Sequence, residues 1–147
     1  MTTTRETTTI DPRPLPEPDA VSAFFWEGAR QQRLMVQRCE ACRSMQYPPD
    51  VACIRCQSTQ LEPTQVSGRG TLYSYAVVDR AYHAGFVDAV PYTVALVELV
   101  EQSGLRMITN IVDAEPEQLR VGMDLDVVFE RRRGMVLPQF RPVGAAT

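Results

Sequence analysis

Two closely spaced cysteine pairs constrain this sequence more than any other feature. Cys39 and Cys42 form the first pair and Cys53 and Cys56 the second, with two residues inside each pair and ten between the pairs. Two intervening residues let both thiolates of a pair face one point, and two such turns complete a tetrahedral zinc site. Because four thiolates leave no open coordination position, the spacing predicts structural zinc rather than a catalytic ion.

Other uses of four cysteines stay open from the residues alone: two disulfides, a redox dithiol, or a single iron held as in rubredoxin. A redox pair is typical of a helix start in a βαβ unit, which the surrounding pattern does not predict. The N-terminal residues hold no apolar stretch of the secretory kind, and no apolar run is long enough to cross a bilayer. We therefore expect a cytoplasmic protein with reduced thiols and no membrane partner.

Composition divides the chain into segments. Residues 1–18 are rich in Thr and then Pro, which predicts a disordered arm. Asp19 is the predicted N-cap of a helix over about residues 20–32. This helix and the cysteine segment form a predicted unit over 19–66, in which the polar residues 57–65 are expected to form turns. A barrel domain over 67–143 and a tail at 144–147 follow.

Strand patterns predominate after residue 67. Runs that are rich in aromatic and β-branched residues, or that alternate in polarity, predict five strands at 70–78, 92–100, 105–112, 125–130 and 135–140. A single helical turn at 115–119 separates the third strand from the fourth. This order is that of the OB-fold, a five-stranded, partly open Greek-key barrel. The predicted fold class is mainly β: an N-terminal helix, a rubredoxin-like zinc ribbon and a C-terminal OB-fold barrel.

The order of these elements resembles the DUF35 family, OB-fold proteins with a rubredoxin-like zinc ribbon. The resemblance covers about residues 19–142. The family tends to place Gly after a cysteine pair and Pro inside the second pair, where this chain has Arg43, Gln57 and Ile54. The resemblance is carried by the cysteine quartet with YPP at 47–49, and by FFWEGARQQRLMVQRC, GRGTLYSYAVV, VPYTVALVEL, NIVDAEPEQLRVGMDLDVVFE and LPQFRPV.

The resemblance implies an accessory subunit that works with a thiolase-like partner on coenzyme A thioesters. The partner would be a thiolase, a 3-hydroxy-3-methylglutaryl-CoA synthase system, or a thiolase-fold aldolase of steroid side-chain breakdown, which is the preferred case. The catalytic residues of the complex would lie in the partner. This chain would stabilise that partner and shape its acyl-CoA channel, so zinc is the structural cofactor and acyl-CoA is a ligand of the complex.

Aromatic side chains are the predicted contacts to the partner or to acyl-CoA. Three lie on the helix, and the others lie in or beside the loop between the first two barrel strands. His83 with Asp79 or Asp88 would make a base–orienter pair, but a lone loop histidine is more often a surface or contact residue, and we predict no catalytic residue. The predicted contacts are Phe24, Phe25, Trp26, Tyr82, His83, Phe86 and Tyr92.

Two other classes of function compete with this interpretation. A single-stranded nucleic-acid module would use Tyr73, Tyr75 and Tyr92 as stacking platforms, but the net charge of −3 and the absence of Lys argue against a groove that follows phosphates. A stand-alone coenzyme A-thioester hydrolase or transferase would need a catalytic set that the sequence does not predict. The arginine run at 131–133 fits a solvated hairpin tip better than a phosphate site, because adjacent strand residues face opposite sides.

Overall fold

The structure is a computed structural model that describes residues 11–144, so the first part of the predicted arm and the last residues of the tail lie outside it. The described chain forms a helix and eight strands. They are α1 Ala23–Arg30, β1 Leu34–Cys39, β2 Met45–Gln46, β3 Leu61–Val66, β4 Arg69–Val78, β5 Tyr92–Leu99, β6 Arg106–Ile111, β7 Asp124–Arg132 and β8 Met135–Pro142.

Helix α1 is shorter than the predicted 20–32, and its N-cap is Ser22 rather than Asp19. The Asp19 Oδ1 atom accepts from the Ser22 backbone N–H at 2.8 Å, and the Ser22 Oγ atom accepts from the Asp19 N–H at 3.1 Å. These reciprocal bonds close a turn before the helix, which delays its start. The helix ends before Gln32, whose φ of 58° lies in the left-handed region.

Strands β2, β1 and β3 form an antiparallel sheet in that order. Strand β3 occupies a segment where turns were expected, so that expectation is wrong. Six residues of β3 pair with all six of β1, from Leu34 with Val66 to Cys39 with Leu61. Pro63 is tolerated because β3 is an edge strand of this sheet, and the pairing with β1 overrides the polar sequence.

The five predicted barrel strands are confirmed and close in the order β4-β5-β6-β8-β7. Strands β6 and β8 are parallel and joined by a single pair, Ile111 with Phe140. The predicted helical turn is present as a 3₁₀ turn at Pro116–Gln118, after the third barrel strand. The mainly β fold with an N-terminal helix, ribbon and OB-fold barrel is therefore as the sequence predicts.

One buried cluster joins the N-terminal elements to the barrel. Phe25 of α1 and Val36 of β1 belong to the same cluster as Leu72, Val97 and Phe140 of the barrel. The ribbon sheet therefore rests on the barrel through α1 and β1. Among residues 11–144, no helix has the length and apolar character needed to cross a membrane.

Candidate metal centre and aromatic surfaces

The four cysteine sulfurs converge on one point. All four Sγ atoms lie within 4.8 Å of one another. Cys39 Sγ is 3.5 Å from Cys56 Sγ, and Cys42 Sγ is 3.6 Å from Cys53 Sγ. Sulfurs placed about 2.3 Å from one ion at tetrahedral angles would be about 3.8 Å apart, whereas a disulfide requires about 2.05 Å. The geometry fits a four-thiolate metal site.

The two cysteine turns share one backbone pattern. The N–H of Arg43 donates to the Cys39 carbonyl and that of Gln57 to the Cys53 carbonyl, each at 2.9 Å. Both residues have a φ of 67°. They stand where the family favours glycine, so each turn forms without it at a strain cost of about 1–2 kcal/mol.

Backbone N–H groups also point at the sulfurs. The N–H of Cys42 donates to Cys39 Sγ at 3.5 Å, and the N–H of Arg55 donates to Cys53 Sγ at 3.4 Å. The Cys42 N–H is the main cause that lowers the pKa of Cys39 to about 6. The N–H groups of Cys56 and Arg55 lower the pKa of Cys53. Metal ligands must be thiolates, so the N–H groups at Cys39 and Cys53 favour metal binding, whereas the Cys39 side chain and burial raise the pKa of Cys56 to about 11. A cation among the four sulfurs would favour the thiolate at Cys56 as well. The convergence of the four sulfurs, rather than their pKa values, supports structural zinc.

Two buried glutamines hold the loop between the cysteine pairs, and sequence reasoning missed both. Gln37 Oε1 accepts from the Asp50 N–H at 2.8 Å and from Gln46 Nε2 at 2.9 Å. Gln46 Oε1 accepts from the Ile54 N–H at 2.9 Å. Gln37 and Gln46 are paired across β1 and β2.

Gln102, on the β5–β6 hairpin, ties the metal-binding unit to the barrel. Its side-chain Oε1 accepts from the Met45 N–H at 2.8 Å, and its Nε2 donates to the Met45 carbonyl at 2.9 Å. The amide thus pairs with the backbone of β2 as a neighbouring strand would. Sequence analysis placed Gln102 between the second and third barrel strands but predicted no such contact.

The three helix aromatics have different environments. Phe25 is 4% exposed and packs against Trp26 and Tyr47, with ring centroids 4.8 and 5.4 Å apart. Its place in the core favours a packing role over the predicted contact role. Phe24 and Trp26 are half-buried at the edge of this core.

The predicted loop residues are brought together in part. The Phe86 ring lies 5.3 Å from Tyr92 and 6.2 Å from His83, whereas Tyr82 is 85% exposed. His83 Nδ1 accepts from the Gly85 N–H at 2.9 Å and caps the 3₁₀ turn Ala84–Phe86. Within residues 11–144, no hydrogen bond or ion pair joins His83 to Asp79 or Asp88. His83 therefore acts as a cap of its own loop.

Two cavities lie along the seam between β6 and β8. The Gln139 side chain takes the place of backbone hydrogen bonds between the two strands, since its Oε1 accepts from the Asn110 N–H at 3.2 Å. Asn110 and Gln139 both line each of the two cavities. The helix-side cavity, of about 160 Å³, is lined by Phe25, Trp26, Tyr47, Met107, Ile108, Thr109, Asn110, Leu137, Pro138 and Gln139. The loop-side cavity, of about 140 Å³, is lined by Arg13, Phe86, Ala89, Tyr92, Asn110, Ile111, Val112, Glu130, Arg132 and Gln139.

Two family models match the chain. One, described as the rubredoxin-like zinc ribbon domain of ChsH2, matches residues 26–62. The other, described as the C-terminal OB-fold domain of ChsH2, matches residues 63–130. Fold and site therefore define a zinc-ribbon OB-fold protein.

Similarity to individual proteins narrows this class. A DUF35 domain-containing scaffold protein of Methanocaldococcus jannaschii is 33% identical over 115 residues, which are 77% of this chain and 79% of that protein. The chain belongs to the DUF35 family, as its motifs indicated. A chain in a solved structure described as "Ltp2-ChsH2(DUF35) aldolase" has 37% identity and a TM-score of 0.77, over 87% of this chain and 98% of that one.

A longer relative is also similar. A probable enoyl-CoA hydratase alpha subunit of Thermomonospora curvata is 39% identical over 131 residues, which are 88% of this chain. The match covers 40% of that relative, so this chain spans less than half of its length.

Proposed function

We propose that this chain is a non-catalytic accessory subunit of a thiolase-fold acyl-CoA enzyme. It stabilises the partner and helps to shape the channel for acyl-CoA. The partner is a thiolase or an aldolase, and the preferred reaction is retro-aldol cleavage of a steroid side chain. Zinc holds the ribbon in shape and takes no part in the reaction.

One observation carries this proposal: the similarity to the DUF35 chain of a structure described as an Ltp2-ChsH2 aldolase. The match covers 98% of that chain, so the two are comparable over its whole length. Relatives described as hydratase alpha subunits give further support to a subunit that works beside another protein.

The chemistry of the described residues favours a reaction centre in the partner. The four cysteine sulfurs face one another rather than a cavity. The His83 Nδ1 atom is occupied by the N–H of Gly85. Because Nδ1 accepts this bond, the proton of the neutral ring lies on Nε2, and neither nitrogen is free to act as a general base.

Members of both aromatic sets lie near the β6–β8 seam, and all of them except the buried Phe25 are the proposed contacts. Trp26 lines the helix-side cavity, while Phe86 and Tyr92 line the loop-side cavity. Tyr82 is 85% exposed in the neighbouring loop. Large aromatic side chains that project from a surface are typical of residues that contribute most to binding energy at interfaces.

The experiment is co-expression with a thiolase-fold acyl-CoA enzyme of the proposed partner class. We expect the two to co-elute in size exclusion, and we expect acyl-CoA cleavage to require both. Tyr82→Ala should weaken the association about tenfold or more, as for an interface hot spot, while Tyr75→Ala on β4 serves as the matched control. A partner that is fully active alone and never co-elutes would refute the proposal.

The nucleic-acid alternative receives little support from the side chains. The Arg106 guanidinium covers the Tyr73 ring at 3.8 Å from its centroid. Tyr92 packs on Phe86. Two of the three predicted stacking platforms are therefore occupied within the chain.

A further inference from the structure

Residues 11–13, here called the strap, lie between two elements that flank the loop-side cavity. On one side, Arg133 of the β7–β8 hairpin donates from Nη2 to the Arg13 carbonyl. On the other side, the Pro12 carbonyl oxygen lies so close to the Gly85 backbone that a Cβ atom on residue 85 would overlap with this oxygen. The strap therefore fits against a glycine that leaves room for its backbone.

Four alternating charges hold the strap in place. Arg13 Nη2 contacts Asp11 Oδ2 at 2.5 Å and Glu130 Oε1 at 3.5 Å. Arg132 contacts the same two carboxylates, with Nε 3.6 Å from Asp11 Oδ2 and Nη2 3.0 Å from Glu130 Oε1. The Arg132 side chain is only 9% exposed, so salt screens this network less than it screens an exposed ion pair.

The network is anchored on the barrel side by a further hydrogen bond. Gln139 Nε2 donates to Glu130 Oε2 at 3.1 Å, which fixes the carboxylate that Arg13 and Arg132 share. On the strap side, hydrogen bonds from the side chain and backbone of Arg13 hold the pKa of Asp11 well below its usual range. Both carboxylates are thus placed to accept from arginine.

The strap also forms a wall of the loop-side cavity. Arg13 lines it together with the apolar side chains of Phe86, Tyr92 and Ile111, and its volume is about 140 Å³. Residues 11–18 have no helix or strand structure, so the strap can leave without breaking a ladder of backbone bonds.

We propose that the strap is a lid on the loop-side cavity, held shut by the Asp11–Arg13–Glu130–Arg132 network and by its fit against Gly85. While seated, it limits the cavity to small groups. Once released, it exposes the aromatic wall formed by Phe86 and Tyr92 to larger apolar molecules. This inference does not depend on the proposed partner.

The test uses the full chain and two variants that release the strap by different means. Asp11→Asn removes one charge of the network, and Gly85→Ala fills the space that Pro12 occupies. Glu17→Gln is the control, because it removes an exposed carboxylate from the same segment. Hydrogen exchange of the Arg13 amide, whose N–H donates to Asp11 Oδ1 at 3.0 Å, measures seating. The fluorescence of 8-anilinonaphthalene-1-sulfonate measures access to apolar surface.

Both releasing variants should exchange about tenfold faster than wild type at the Arg13 amide, as expected for the loss of a charge-assisted hydrogen bond. Both should also bind the dye more strongly than Glu17→Gln does. Unchanged exchange in both variants would show that these contacts do not hold the strap. Faster exchange without stronger dye binding would show that the strap is not a lid. Either result overturns the proposal.

Discussion

Arg43 and Gln57 show how single residues shape the metal centre. Each follows a cysteine pair, has a φ of 67°, and donates its N–H to the carbonyl of the first cysteine of its pair. Left-handed backbone costs a residue with a Cβ atom about 1–2 kcal/mol. The chain therefore tolerates strain in both turns, and the energy of metal binding is available to offset it.

Relief of this strain can be measured. Arg43→Gly should raise the free energy of unfolding by about 0.5–1 kcal/mol, because the gain in strain energy exceeds the extra entropy that glycine gives the unfolded chain. Arg55→Gly is the control, since Arg55 lies in the other turn without a positive φ and should show no gain. Urea denaturation of the zinc-loaded chain is the measurement. No gain in Arg43→Gly, or an equal gain in Arg55→Gly, would contradict the strain argument.

The convergence of the four cysteines could be predicted residue by residue, because two residues inside each pair let both of its thiolates face one point. The part that Gln37 and Gln46 play in holding the loop between the cysteine pairs could not be predicted. It depends on the pairing of β1 with β2, which brings the two amides together. Asp11 and Arg13 were assigned to a disordered arm for a similar reason. Their partners Glu130 and Arg132 are more than a hundred residues away in sequence.

At the scale of elements, the barrel strands could be predicted and the third ribbon strand could not. Barrel strands carry aromatic and β-branched residues or alternate in polarity, so their local pattern agrees with their environment. Strand β3, Leu61–Val66, is polar, contains Pro63, and forms only because β1 offers it six partners. Helix α1 was placed correctly, but its start depends on reciprocal bonds between Asp19 and Ser22.

The contact between Gln102 and β2 should couple the ribbon to the barrel. Gln102→Ala removes both hydrogen bonds to Met45 and should cost about 1–2 kcal/mol, with faster hydrogen exchange at residues 45–46. Ser103→Ala, on the same hairpin, is the control because Ser103 is exposed. If the two variants exchange alike at β2, the amide of Gln102 does not carry the coupling.

At the scale of the whole molecule, the zinc ribbon and the barrel share one buried core. Their outer faces therefore form one surface. Phe25 and Val36 are buried in the same cluster as Phe140. Aromatic side chains of the helix line one cavity of the β6–β8 seam, and aromatic side chains of the loop line the other. A partner that covers this seam would touch both sets at once, which is the geometric basis of the proposed accessory role.

Native mass spectrometry of this chain, co-expressed with a thiolase-fold enzyme of the proposed partner class, tests the account most directly. We predict a hetero-oligomer in which every copy of this chain carries one zinc ion. Cys53→Ser should lose the zinc and, with it, the ordered ribbon. The account would be contradicted if this chain appeared only apart from the partner enzyme, or if the complex formed intact without metal.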